Sequence, residues 1–357
     1  MIKLLGHYLK KRLHVLIIVS AIIVILHMIM YGGDYLIKYV RDNRYGEYEV
    51  LIANNNPINY FLTIAILLTF LVPIFEFRFK MNKVSVDHFY DLPIKREKLY
   101  ATKFILGFIE IIIPLTVLFI YTLISIALNE NIFDLKYYFI FYFVSLLLIF
   151  AIYSINSFAF TRCNRVIDGI INMGLYVLIF IAVYLFCLVS LMLPMAIIDK
   201  ESIVDTLAFN EMYLLIPQVG YITICRWLGD MMDCSGYIYN IFDVEIYFLI
   251  ALVLIGIACA VLLIVLSKKE KAEKALDISD SYFAYKVIIP LYTFLLALAT
   301  RELFMIVLAI ITGYIGYVIY RRSFKIKKID IIILSSTILT SVIYGVLVDL
   351  FLKPIVY

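Results

Sequence analysis

Few residues in this chain have the types and spacing that chemistry demands. The five cysteines (Cys163, Cys187, Cys225, Cys234, Cys259) form no Cys-x-x-Cys pair and no zinc-ligand spacing. The four histidines form no His-Glu-x-x-His or paired arrangement, so a metal centre is not expected. No Gly-x-Ser-x-Gly and no His-containing acid cluster supplies a nucleophile with its base. None of the 14 glycines is followed by lysine, so a Gly-Lys-Ser/Thr phosphate loop is absent and no nucleotide chemistry is expected of this chain. What remains are ionisable groups inside apolar stretches. Glu110, in Phe108-Ile109-Glu110-Ile111-Ile112, needs protein or water around it; it can contact a substrate, pair with a cation from another span, or bond a neighbouring helix. Pro114 and Pro73 bend their helices, as moving membrane helices tolerate. Glu76 and Arg78 bracket the end of another apolar stretch and read as its anchors, and His27 reads as a polar tip.

The elements that position these residues are set by composition. The chain has 357 residues, 64% hydrophobic and 16% charged, more apolar surface than one water-soluble core hides. The excess is clustered in runs long enough to cross about 30 Å of hydrocarbon as helices, and runs such as 13–31 do not alternate as barrel strands do. The expected fold is therefore an all-α integral membrane protein of about nine spans: 13–31, 59–76, 104–128, 137–160, 170–194, 245–266, 286–300, 303–320 and 330–351. Residues 286–320 are too long for one helix, and Arg301 with Glu302 at their midpoint marks the tip of a short hairpin. With the N-terminus inside, the inner segments carry 22 Lys and Arg and the outer ones 8, which sets the orientation. A retained first span is expected after Met1–Leu13, in which Ile2, Leu5, Leu9 and Leu13 lie about four apart and Lys3, Lys10, Lys11 and Arg12 are cationic. That stretch is either an interfacial amphipathic helix or a basic flank.

Two polar segments carry further signals. After the second span, 77–103 contains Asp87-His88-Phe89-Tyr90-Asp91-Leu92-Pro93-Ile94-Lys95-Arg96-Glu97-Lys98-Leu99, a charged, aromatic-rich element suited to docking a soluble partner. Asp91 can cap a helix whose start Pro93 sets up, with Glu97 inside it. The long outer segment 195–244 mixes acids with Tyr213, Tyr221, Trp227 and Leu214-Leu215-Ile216-Pro217. A loop so apolar folds back on the membrane as a lid or re-entrant hairpin, or it binds a partner, with Pro217 and Trp227 as candidate outer-gate residues. Cys225 and Cys234 fall in this loop, where a disulfide and two independent thiols are both open.

The Leu-Pro-Ile-x-Arg-x-x-Leu pattern at Leu92–Leu99, followed by Lys103-Phe104 and the run from Gly107 to Pro114, resembles the permease subunits of type 2 ABC exporters. The amphipathic Met1–Leu13 and the broken apolar loop 207–232 agree with that resemblance. It covers about residues 1–266: an amphipathic helix over 1–12 and a six-span core over 13–266. Residues 267–357 resemble the additional hairpin and span of a Firmicutes-type branch, and the outer domain some relatives carry after the last span is not expected. The resemblance implies that Asp87, Tyr90, Asp91, Leu92, Pro93, Ile94, Arg96, Glu97 and Leu99 meet a separate ATPase subunit, which would bind ATP and Mg. A second permease copy or paralogue would complete the pathway, with Glu110 and Pro114 along it. It also implies a bacterial plasma-membrane location, lipids as surroundings, no nucleic acid, and an amphipathic cargo such as a peptide antibiotic, lipid or drug. The competing classes are an ion-coupled secondary transporter and a non-transporting membrane sensor subunit.

Overall fold

The computed structural model describes the chain except residues 1, 32–36, 43–47, 54–55, 92, 129–134, 199–211, 231–241, 271–272, 274, 280, 301–302, 326 and 353–357. Helices dominate the described residues, and six of them are long and apolar enough to cross a membrane. The molecule is a multi-pass helical membrane protein. In chain order the helices are α1 (Ile2–Tyr31), α2 (Asn56–Phe77), α3 (Lys83–Tyr90), α4 (Arg96–Leu128), α5 (Leu135–Thr161), α6 (Val166–Ile198), α7 (Pro217–Asp230), α8 (Phe242–Leu266), α9 (Tyr285–Thr300), α10 (Leu303–Arg321) and α11 (Lys328–Leu352). The six candidate spans lie in α1, α2, α4, α5, α6 and α8; α9 and α10 contribute shorter apolar helices. Over the stretch expected as a hairpin, α9 and α10 pack on one another, and the expected tip residues Arg301 and Glu302 lie outside the described residues.

Three local features depart from the sequence reading. The amphipathic stretch expected as a separate element over 1–12 runs without a break into the first span, as one 30-residue helix. At 1.5 Å per residue it is about 45 Å long, which leaves a basic foot beyond the apolar length. The helix expected from 104 begins eight residues earlier, at Arg96, and the amides of Lys98 and Leu99 bond to the carbonyl of Lys95, so Asp91 does not cap it. Finally, an antiparallel hairpin of β1 (Ile37–Asp42) and β2 (Tyr48–Ala53), pairing Ile37 with Ala53 and Asp42 with Tyr48, follows the first span where only a loop was expected. Ile37, Tyr39, Val40, Tyr48, Val50 and Ile52 supply the β-branched and aromatic residues that strands favour.

The chain divides into two compact units. The first comprises Met1–Arg78, Tyr90–Phe158 and Pro217–Glu270. In it α4 packs on α1 and α2, and α7 and α8 pack on the same group. Interhelical bonds fix the arrangement: Tyr60 Oη donates to the Ile23 carbonyl (2.9 Å), Asn156 Nδ2 to the Thr69 carbonyl (3.1 Å) and Tyr153 Oη to the Phe104 carbonyl (3.0 Å). His27 is buried against the rings of Tyr60 and Tyr121.

The second unit comprises Phe79–Phe89, Ala159–Ile216 and Lys271–Tyr357. Here α9 packs along α6 and also against α10 and α11. A core of Leu175, Tyr285, Ile288, Ile289, Tyr292, Tyr317 and Tyr320 joins them. At one end Arg322 Nη2 donates to Asp168 (2.6 Å) and Arg321 makes a two-pronged bond to Asp330 (2.8 Å each).

Candidate functional site

Two clusters in the first unit bring together residues with chemical potential. The first lies among α1, α2 and α4. Arg12 donates to Glu110 (2.6 Å) and also to Glu76 through the same Nη1, while Lys103 Nζ lies 3.4 Å from Glu76 Oε2 and 4.5 Å from the centre of the Tyr8 ring. The Glu76 side chain is fully buried, that of Glu110 is 10% exposed and that of Arg12 is 32% exposed. Two cations thus balance two carboxylates, the condition under which ions persist at span depth. Glu110 therefore has its cation from another helix, and Glu76 anchors α2 to both α1 and α4. Pro114, one turn beyond Glu110, is buried within α4.

Lys103 and Glu110 are seven residues apart, so they share a face of α4. That spacing was legible in the sequence; Arg12 as their common neighbour was not, because its place in a basic run concealed it.

The second cluster lies where α4 begins and α8 ends. Arg96 donates to the Glu270 carbonyl and stacks its guanidinium 4.4 Å from the centre of the Tyr90 ring. Tyr100 donates to the Glu270 carboxylate, which leaves Tyr90 Oη to donate to Tyr100 Oη (3.2 Å). Lys268 pairs with Glu97 (2.7 Å). Burial first, and the Glu270 charge second, raise the Tyr90 phenol above its ordinary pKa. Leu99 and Tyr100 are fully buried, whereas Asp91 and Pro93 are exposed and Ile94 is half-buried. Leu92 lies outside the described residues.

Helix α3, which precedes this cluster, presents Val84, Asp87 and His88 to the exterior on one face, while Val86 is buried. Of the residues expected to meet a partner, Asp87, Asp91 and Pro93 are accordingly accessible. Tyr90, Arg96 and Glu97 hold the foot of the bundle, and Leu99 packs within it. Tyr100, Lys268 and Glu270 were not singled out from the sequence; no local spacing connects residues some 170 positions apart.

At the far end of the same unit, α7 packs against α2 and α8. Arg226 donates to Asn59 Oδ1 (2.9 Å) at the start of α2, and Tyr221 Oη bonds Ser145 Oγ (3.0 Å), ten residues into α5. Ten residues is about 15 Å of helix, so α7 reaches well down the bundle, as a re-entrant element does. Pro217 opens α7 and is buried; Trp227 belongs to the same helix, its side chain outside the described set. Cys225 is a buried free thiol, and Cys234 lies outside the described residues. Among the described residues no group of His, Cys, Asp and Glu has the arrangement of a metal site.

No protein-family profile, curated protein or solved structure matches the chain.

Proposed function

We propose that this chain is the membrane permease subunit of an ATP-driven exporter of the type 2 ABC class, driven by a separate ATPase. The observation that carries the reading is the junction between the second and third apolar spans. There a short helix exposes Val84, Asp87 and His88, and the residues after it are tied through Arg96 and Tyr100 to Glu270 at the end of α8. A push on the stretch from Tyr90 to Arg96 would reach α4 and the end of α8 together, which is what a rigid-body switch between inward-open and outward-open states needs. The re-entrant α7 supports an outer gate, and the long apolar faces suit an amphipathic cargo.

The test is co-purification in mild detergent with the ATPase encoded beside this gene. The unaltered chain should retain the ATPase, and Asp87→Lys with His88→Glu, both exposed, should lose it while eluting as a folded species. Failure of the unaltered chain to retain any ATPase would count against the reading. An ion-coupled transporter is the second reading, favoured by the buried carboxylates Glu76 and Glu110. It predicts uptake or efflux that follows a proton or sodium gradient without ATP.

A further inference from the structure

We propose that the turn between α10 and α11 is a binding site for anionic phospholipid headgroups. The sequence over this turn is Arg321-Arg322-Ser323-Phe324-Lys325, then Lys327-Lys328-Ile329-Asp330. Its five cations are not equivalent. Arg321 is committed to Asp330 and Arg322 to Asp168, so these two hold the turn in place. Arg322 adopts a left-handed backbone (φ 55°) at the end of α10, where its amide bonds to the Ile319 carbonyl (3.3 Å). The amide of Lys325 bonds to Ser323 Oγ (3.1 Å), and the Lys327 carbonyl accepts from Asp330 and Ile331 to start α11. A turn secured at both ends thus presents Lys325, Lys327 and Lys328, all exposed.

The depth of the turn follows from its neighbours. Phe324 is 83% exposed, a large apolar ring that would stand in water unless it meets lipid. Its carbonyl accepts from Tyr314 Oη (3.4 Å), two turns back along α10, so Phe324 lies beside the apolar face of that helix, not beyond its tip. Exposed Ile310 and Ile311 continue that face, and exposed Ile329, Ile331 and Ile332 open α11. Apolar surface on both flanks with lysines between them places the turn at the boundary of acyl chain and headgroup. The lysines there meet phosphate, and the ring meets the upper acyl chain. The high count of basic residues in this segment assigns it to the inner leaflet. The inference is independent of the exporter reading.

A Phe324→Trp chain, in vesicles of brominated lipid, reads both claims, with the parent chain and its single Trp227 as baseline. Brominated phosphatidylglycerol should quench the added tryptophan at a mole fraction at least about fivefold lower than brominated phosphatidylcholine does; fivefold is the effect of about one lysine near an anionic surface. Adding Lys325→Gln, Lys327→Gln and Lys328→Gln should equalise the two lipids. Equal quenching before the lysines are removed, or a preference that survives their removal, overturns the proposal. Absence of quenching by either lipid also overturns it and points to an acidic protein as occupant. Native mass spectrometry of the parent chain and the triple lysine variant, released from mixtures of the same two lipids, reads the preference without the tryptophan. Equal retention by the two chains would refute it.

Discussion

Replacing Arg12 by leucine tests the charge balance at the foot of α1. The cluster holds Arg12 and Lys103 against Glu76 and Glu110, so the change leaves one net negative charge among side chains that are almost wholly buried. Orphaning a fully buried ion costs about 3–5 kcal/mol. The Arg12 side chain is 32% exposed, and water screening lowers the expectation to about 2–3 kcal/mol. Adding Glu110→Gln restores parity: Lys103 then faces Glu76 alone, and the neutral amide is far cheaper to bury than an unpaired carboxylate. The double variant should therefore recover about half of the loss, and a double-mutant cycle should give a coupling above about 1 kcal/mol. The assay is unfolding of the purified chain in mixed micelles titrated with dodecyl sulfate, followed by circular dichroism. Two results would refute the reasoning: an Arg12→Leu chain as stable as the parent, or a Glu110→Gln change whose loss simply adds to that of Arg12→Leu.

Three further outcomes follow from other contacts. Gly256→Ala should destabilise the first unit by about 1–3 kcal/mol in the same titration, because an added Cβ would lie 2.5 Å from Ala151 Cα, backbone that cannot step aside. Arg96→Ala removes the bond to the Glu270 carbonyl and the stacking on Tyr90. It should cost about 1–2 kcal/mol, with hydrogen exchange rising at the start of α4 and the middle of the bundle unchanged. Cys163, buried between the fourth and fifth spans, has its thiol pushed up to about 12 by burial. As the only cysteine left in the chain, it should resist maleimide at pH 8 in the folded protein and react at once after unfolding. Because its folded pKa is the higher one, its contribution to stability is intact below about pH 9 and is lost as pH rises towards 12.

Much of the fold was legible in the chain because crossing hydrocarbon imposes a length and a composition on each segment. The runs near 13–31, 59–76 and 245–266 needed only their apolar content to be read. The charged pair Arg301 and Glu302 divided 286–320 into the two helices α9 and α10. The amphipathic start was legible too, though not its fusion with the first span, since helical periodicity does not say where an uninterrupted helix leaves the interface. The β1–β2 hairpin escaped notice because its alternating residues sit among Asn, Asp and Gly, which mark turns as readily as they bound strands.

The tertiary structure alone decided partnership. Glu110 announced that it needed company, but only the packing of α1 against α4 selected Arg12, 98 residues away. Arg96 read as part of a docking surface, and only the fold brought Glu270 to it and to Tyr100. The apolar run of α9 named no neighbour, and only the packing gave it a shared core with α6. The reason is common to all three. In a membrane helix the face that meets lipid and the face that meets protein are both apolar, so periodicity records the crossing and not the neighbour. Neighbours are chosen by shape and by a few paired polar groups, and those pairs exist only once the helices are assembled.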